Sequence, residues 1–470
     1  MIDPLGKRAS HRSAPVIQDL VRQALRHHQA EQFNEAEQIY LQALAIDPQH
    51  PDALHLLGMI AFQTGRDKDA VELIRKAIAI KSDAASYHSN LGNVLQSQGK
   101  LAEAGACYQR ALVLKPDLAE VHLNLGNIFK AQGDVDSSLA CYRRALALNP
   151  ASAEATVAES MALLLKGDFA SGWKNFERRW QTKDYDTQMR TYAHPPLWKG
   201  EQLALGRLLI WGEQGIGDEI MFAGLIPDAI CTGNRCVLDC DARLKPLFSR
   251  SFPGIDVVSG VDPASHPELE FAAHLPSGSL PGLFRTSTAA FEATTSPYLL
   301  VDPSAQSRFR TRYADGRKLI GLAWHTKNKK TGPIRSIDLA LLAPLFAHPG
   351  TRWISLQYGD CDRLEEQARA ANAPVLIDPE VDQLSNIDDF AAQVAAMDLV
   401  ITIDNSTTHL AGALGVPTWV LLPFAPDWRW QLNRTDSPWY PTVRLFRQPS
   451  LGDWQSVVRE IENALERIET

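Results

Sequence analysis

A period of 34 residues runs through the first part of this 470-residue chain and limits its fold more than any other feature. Gly65, Gly99, Gly133 and Gly167 recur at that step, as do Gly58, Gly92 and Gly126. Pro48, Pro116 and Pro150 keep it, with Ser82 standing in once. So do Ala36, Ala70 and Ala104, and again Ala43, Ala77, Ala111 and Ala145. Tyr40, Ile74, Tyr108, Tyr142 and Phe176 supply one bulky position per unit. Each unit reads as helix, glycine turn, helix, proline-marked turn. Small residues let the paired helices approach, and large ones fill the remaining gap. One unit cannot bury its apolar stripe alone, so the units must stack into an array.

The pattern resembles the tetratricopeptide repeat. Four units span 17–152, and a degenerate fifth spans 153–184. The fifth keeps Gly167 and a small Ser160 but carries Arg179 where its predecessors have alanine. It is expected to cap the array and dock on the remainder of the chain. Residues 1–16 lack an apolar core segment and are expected to form a flexible tail, not a secretion signal. Arrays of this kind hold extended peptides. "SNLGN" and "LNLGN" place Asn90, Asn93, Asn124 and Asn127 on one helical face. An amide offers a donor and an acceptor to any peptide backbone. The repeats of O-linked N-acetylglucosamine transferases are similar here and use asparagines so; plain solvated or turn positions are the other reading.

Composition narrows the class. The chain is 45% apolar and 22% charged, with a net charge of −8 and no basic face suited to nucleic acid. No apolar run has the ~18 residues of a membrane span. The six cysteines make no C-x-x-C pair and no zinc spacing, so reduced thiols and a cytoplasmic setting are expected, with no metal site.

Beyond Trp180 the period changes. Residues 185–205, with "AHPPLWKGEQ", read as a linker. "RLLIW", "CVLDC", "IDVVS" and "LEFAAHL" alternate with helical stretches, which gives a Rossmann-like domain over 206–305. "KLIGLAW", "RWISLQ", "PVLI", "DLVITI" and "PTWVLL" do the same over 306–470. The expected fold is an N-terminal α-solenoid followed by a pair of α/β domains facing a cleft.

Three stretches carry candidate chemistry. "GEQGIGDEIMFAG" (212–224) sets Gly212, Gly215 and Gly217 in the order G-x-x-G-x-G, not the G-x-G-x-x-G of a dinucleotide loop. Asp218 comes directly after them at a helix start, where a pyrophosphate would meet its charge. The stretch therefore reads as a loop that holds a reactive acid, with bare glycine backbone at Gly215 and Gly217 for substrate. A simple capping role for Asp218 stays open, as does a nicotinamide or flavin enzyme using Asp239 or Asp241. "ITIDNSTTHLAGALGVP" (401–417) ends a strand at Asp404 and starts a helix whose Ser406, Thr407 and Thr408 offer amides and hydroxyls to an anion. His409 adds a proton or a hydrogen bond, and Asp404 suits a sugar hydroxyl. "WHTKNKKTGPIRSI" concentrates His325, Lys327, Lys329, Lys330 and Arg335; Lys330 or Arg335 would offset charge on a leaving diphosphate. In "PFAPDWRWQ", Trp428 and Trp430 either stack on a nucleotide or lock the two domains together. Backbone near "LQYGD" (356–360) is placed to read the base.

The glycine loop and "DNSTTHLAGALGVPTWVLLPFAPDWRW" resemble the C-terminal region of bacterial tetratricopeptide-repeat glycosyltransferases. These are GT-B proteins related to the heptosyltransferases. The resemblance covers nearly all of 17–470. It implies that Gly217 and Asp218 form the catalytic G-D pair, and that Asp404, Ser406 and His409 loosely match a donor-diphosphate segment. The basic motif is only roughly echoed. An inverting, metal-independent enzyme is implied, with a nucleotide-sugar as co-substrate and no cofactor. The acceptor would be a protein held by the repeats, flagellin among the candidates. A glycan-extending transferase and a non-catalytic scaffold that senses a nucleotide sugar are the alternatives, and self-association of the array stays open.

Overall fold

The computed structural model describes residues 5–183, 185, 195–266, 269–293, 296–328 and 331–467. The chain divides into two compact units, one up to Glu159 and one from Ser160 onward.

The first unit is four helix pairs. The first helix, Leu5–Gln29, begins inside the stretch expected as a tail and carries Pro15. Ile17, where the repeats begin, is buried. Its partner helix is Phe33–Ile46. Pro51–Gln63 with Asp67–Ile80, Ala85–Ser97 with Leu101–Leu114, and Ala119–Ala131 with Val135–Leu148 complete the unit. The periodic glycines do two jobs. Gly65, Gly99 and Gly133 end first helices at φ +78°, +73° and +80°, a region that only glycine enters freely. Gly92 and Gly126 instead face the bulky residue of the paired helix. A Cβ there would stand 2.6 Å from the Tyr108 ring and 2.5 Å from the Tyr142 ring.

The asparagines are drawn into this packing. Tyr108 donates to Asn93 Oδ1 (2.7 Å), and Tyr142 donates to Asn127 Oδ1 (2.9 Å). Asn124 Nδ2 donates to Asn93 Oδ1 across one repeat (3.1 Å), and Asn90 Nδ2 meets His55 Nε2 at 2.9 Å. The expected row of peptide-facing amides is therefore a ladder that directs part of its bonding into its own array.

The second unit takes most of the degenerate repeat. After Ala153–Lys166, which spans the division, Asp168 caps the helix Phe169–Phe176, and a 3-10 turn covers Glu177–Gln181. Arg179, the residue that breaks the alanine pattern, is fully buried. It grips Glu213 through both carboxylate oxygens (3.0 and 2.8 Å) and donates to Ser279 (2.9 Å). Its guanidinium lies 4.6 Å from the Phe176 ring centre and 4.4 Å from that of Trp180. Trp173 donates to the Arg285 carbonyl (2.9 Å) and stands edge-on to Trp428. This repeat is thus fastened to the α/β body by a charge and a cluster of rings.

Two parallel sheets make up that body. The first holds β1 (Arg207–Trp211), β2 (Cys236–Asp239), β3 (Asp256–Val258) and β4 (Phe271–Pro276) in the order β3-β2-β1-β4. The second holds β5 (Lys318–Ala323), β6 (Thr351–Ser355), β7 (Val375–Leu376), β8 (Leu399–Ile403), β9 (Thr418–Leu422) and β10 (Val443–Arg447) in the order β10-β9-β8-β5-β6-β7. Their near-continuous apolar sequences suit strands covered on both faces. β10, "VRLFR", is not expected from sequence because Arg444 and Arg447 interrupt its apolar run. Part of the expected linker is held against β4: Trp198 N donates to His274 O (2.8 Å), and His274 N donates to Pro196 O (3.0 Å).

Gly92→Ala is expected to cost about 1–3 kcal/mol by overpacking Tyr108, read from the urea midpoint by circular dichroism. Arg179→Ala leaves a buried carboxylate unpaired and is expected to cost about 3–5 kcal/mol. All tryptophans lie in the second unit, so their fluorescence reports this loss. Arg75→Ala, which removes the exposed Arg75–Glu103 pair, should stay within about 1 kcal/mol.

Candidate active site between two parallel sheets

In open parallel sheets ligands collect where strand order reverses, beyond the carboxyl ends of the strands. In the first sheet that point lies by β1, which runs into Gly212–Gly215. In the second it lies between β5 and β8, which run into the His325 loop and into Asp404–Ser406. All three candidate stretches therefore stand at switch points.

The glycine loop is set by tight packing. A Cβ on Gly212 would collide with the Glu219 carboxylate, which accepts from Asp241 N (2.9 Å). Gln214 adopts φ 69°, a strained left-handed conformation for a residue with a side chain. Gly215 is the N-cap of the helix Ile216–Ala223 and makes no side-chain cap. A Cβ at Gly215 would meet nothing within 4 Å, so bare backbone faces open space there. Gly217 differs: a Cβ would sit 3.1 Å from His409 Cδ2 and 3.4 Å from Ser406 Cα. This glycine is used by the close approach of the two lobes.

The helix Ser406–Ala413 is capped by Asn405, whose side chain accepts from Thr408 N (3.3 Å). Thr408 Oγ1 donates to the Ile403 carbonyl (2.7 Å). Of the expected anion-binding trio, Thr408 is therefore occupied by the cap, and Ser406 and Thr407 remain. Thr407 Oγ1 and Asn405 Nδ2 are buried with no hydrogen-bond partner among the described residues. His409 is buried, meets Tyr440 OH through Nδ1 (2.9 Å) and stacks on Trp430 at 5.7 Å. Burial and the nearby Arg429 push its pKa down to about 3. The ring is neutral near pH 7 and is no source of an imidazolium proton, unlike the sequence expectation.

Charge binds the site together. Asp218 does not cap its helix; it pairs with Arg429 from the opposite lobe. Arg429 also pairs with Asp427 (2.6 Å) and lies over the Trp428 ring at 4.4 Å. Asp427 is shared with Arg335 (3.0 Å), which reaches on to Asp404 (3.1 Å). Burial raises the Asp404 carboxyl despite Arg335. Burial also opposes ionisation of Asp427, but Arg429 and Arg335 overcome it and hold that carboxyl below the usual range. From sequence, only the tryptophans of "DWRW" stand out. Trp428 and Trp430 are buried in packing, as the locking alternative has it, and the chemistry of the motif lies in Asp427 and Arg429. The alternation of acid, ring and base is the signal that could have pointed to them.

Lys330 lies outside the described residues. His325 is exposed, and its amide donates to Gln357 Oε1 (2.8 Å), while Tyr358 OH accepts from Lys327 N (2.9 Å). The "LQYGD" side chains thus brace this loop. Asp239, the dinucleotide candidate, is buried and accepts from Gly260 N (2.7 Å) and Val261 N (3.1 Å), while Asp241 pairs with Arg243 (2.7 Å). Both have structural work.

Further ties hold the lobes close. Arg250 pairs with Asp388 (2.7 Å), Arg243 donates to Leu384 O (2.9 Å), and Tyr298 N donates to Ala413 O (3.1 Å). The cavity left among Ile216, Arg243, Tyr358, Gln383, Ser406 and Leu410 is about 110 Å³. Typical small-molecule sites have ~300–1,000 Å³, so this cavity is small for one, and none of the five charged residues lines it. A cavity of about 440 Å³ beside Trp324, Asp338 and Gln367 touches none of the five charged residues. Among the described residues no cluster of three metal-ligating side chains occurs, and no helix is long and apolar enough to cross a membrane.

Tetratricopeptide-repeat models match residues 27–92 and 119–152, and a TPR-repeat model matches 92–133. The chain thus carries tetratricopeptide repeats, a protein-interaction scaffold, followed by parallel α/β sheets. Among curated proteins it is similar to protein FlbA of Caulobacter vibrioides, 31% identical over 327 residues. That match takes in 66% of this chain and 54% of the relative, so the chain spans about half the relative's length. Among solved structures, Pseudomonas aeruginosa pilF is 22% identical over 36% of this chain and 77% of its own, with a TM-score of 0.35. A thermophilic TPR protein of Thermus thermophilus is 20% identical over 37% and 94%, with a TM-score of 0.31.

The neutral His409 has a pH signature. An unfolded histidine titrates near ~6.5. Between that value and about 3 the unfolded chain binds a proton that the folded site refuses. Stability therefore falls as pH drops below about 6.5, by up to about 1.4 kcal/mol per pH unit. His409→Gln is expected to flatten this slope, measured by urea unfolding between about pH 7.5 and 4.5 with tryptophan fluorescence. His55, pushed down to about 4 chiefly by burial, acts in the first unit, which holds no tryptophan.

Proposed function

We propose that this chain is an inverting, metal-independent glycosyltransferase of the GT-B type. It moves a sugar from a nucleotide-sugar to a Ser or Thr of a protein held by the repeats. The observation that carries this reading is the meeting of the two switch points: Gly217 lies against the start of the helix Ser406–Ala413, and its neighbour Asp218 pairs with Arg429 of the same lobe as that helix. Asp218 takes the proton of the acceptor hydroxyl. That oxygen bonds to the anomeric carbon as the bond from this carbon to the phosphate oxygen breaks. The departing diphosphate is received by the Ser406 and Thr407 turn and by the guanidiniums of Arg335 and Arg429. Base catalysis of this kind contributes typically ~10²–10⁴-fold, and holding both substrates in one cleft supplies much of the rest. Flagellin is the acceptor that the family resemblance offers.

The ion pair on Asp218 favours a second reading. A carboxylate already matched to Arg429 also suits a scaffold that binds a nucleotide sugar without turnover.

Intact-mass analysis of candidate acceptors, incubated with a panel of nucleotide-sugars, decides between them. A mass gain of one sugar is expected with the natural chain, and Asp218→Asn is expected to lower the rate by ~10²–10⁴-fold. Nucleotide release with no modified protein would point to a glycan acceptor or to hydrolysis. No release and no modification would leave the scaffold.

A further inference from the structure

The five charged residues around the cleft do not balance. Asp218, Asp427 and Asp404 face only two guanidiniums, Arg429 and Arg335. Asp218 is the one member that comes from the first lobe. It is also the most exposed of the three carboxylates, at 21% against 18% for Asp427 and 3% for Asp404. Arg429 is anchored behind, by Asp427 at 2.6 Å and by the Trp428 ring at 4.4 Å. Its other nitrogen, Nη2, can thus change partner while the arm stays in place. The neighbouring helix turn, touched by Gly217, buries the Thr407 hydroxyl and the Asn405 amide with no partner among the described residues.

We propose that Arg429 is an exchange arm, which gives up Asp218 for a phosphate oxygen of a nucleoside diphosphate and so frees Asp218 to act as a base. The identity of the diphosphate as a sugar donor rests on the glycosyltransferase reading; the exchange itself does not. A carboxylate oxygen that accepts from a guanidinium does not have that lone pair turned to a substrate hydroxyl. Moving the guanidinium to the phosphate opens that oxygen of Asp218 only when an anion is bound. It also stations a cation where negative charge develops on the leaving group. Arg429 is therefore the anion-binding partner of Asp218, and the base is switched on by the substrate it serves.

The test is calorimetric binding of inorganic pyrophosphate, and in parallel of ADP, UDP and GDP, to the full-length protein. Asp218 competes with the anion for Arg429 and repels it, so Asp218→Asn is expected to tighten binding by about tenfold or more. Arg429→Gln is expected to weaken binding by a similar factor, and in the double variant the gain from Asp218→Asn should shrink to the part due to charge repulsion alone. Arg429→Lys, with a thermal melt, serves where Arg429→Gln fails to fold; it keeps the charge but not the fork, and should bind between the two. Binding to Asp218→Asn that is unchanged, weaker or absent overturns the proposal. A gain that persists undiminished without the Arg429 guanidinium also overturns it, since Asp218 would then act only through its field. Tightening only with a nucleoside diphosphate, not with pyrophosphate, places the base in the site as well. Tightening with no sugar transfer by mass keeps the exchange and removes the transferase.

Discussion

A guanidinium buried where earlier repeats put a methyl group is the constraint on which the second unit turns. Arg179 has no water to solvate it, so it must find its acceptors inside the protein, and it finds Glu213, Glu177 and Ser279. Glu213 in turn accepts from Gly278 N (2.7 Å). Burying such a pair adds little net stability, but removing either half leaves an unmatched charge in an apolar setting. The requirement is therefore one of position. Glu213 lies five residues before Asp218, in the loop that carries the site, so the last repeat helix and that loop are fixed by one bond pair.

The same matching of charge recurs in the cleft. Every acid there is paired with an arginine of another segment, and the two lobes meet through Asp218 and Arg429. Rings supply the supports: Trp428 beneath Arg429, Trp430 against His409, and Trp173 and Trp439 around Trp428. Packed tryptophans keep the charged side chains from choosing other rotamers. The second lobe thus holds its charged groups among packed rings, and the first lobe contributes one carboxylate, Asp218.

Much of this is legible in the sequence where local rules apply. The period of 34 and its glycines announce the helix pairs, because turn conformation and close approach are written residue by residue. Nine of the ten strands are visible as apolar runs between turns. The switch-point loops come from strand–turn–helix order alone. Long-range pairing is what escapes. Nothing near Asn93 in sequence says that its carbonyl will serve both Tyr108 and Asn124. Nothing near Asp218 names Arg429, at a separation of 211 residues. The clue to Arg179 is present, a large cation at a small-residue position, yet its partner is set by the sheet that carries Glu213. Thr408 and His409 depart from expectation for a related reason. Their hydrogen bonds are settled by Asn405, Ile403 and Tyr440, which only the folded turn brings together.

The amide ladder of the array has one more consequence. Asn93 reaches Asn124, and His55 reaches Asn90, each link joining a repeat to its successor. The residue that breaks the rule, Arg179, comes only at the end of the fifth unit. Length is thereby separated from attachment: these links between repeats lie upstream of Glu159, whereas every partner of Arg179 lies beyond it, so a change in the number of repeats leaves the partners of Arg179 in place.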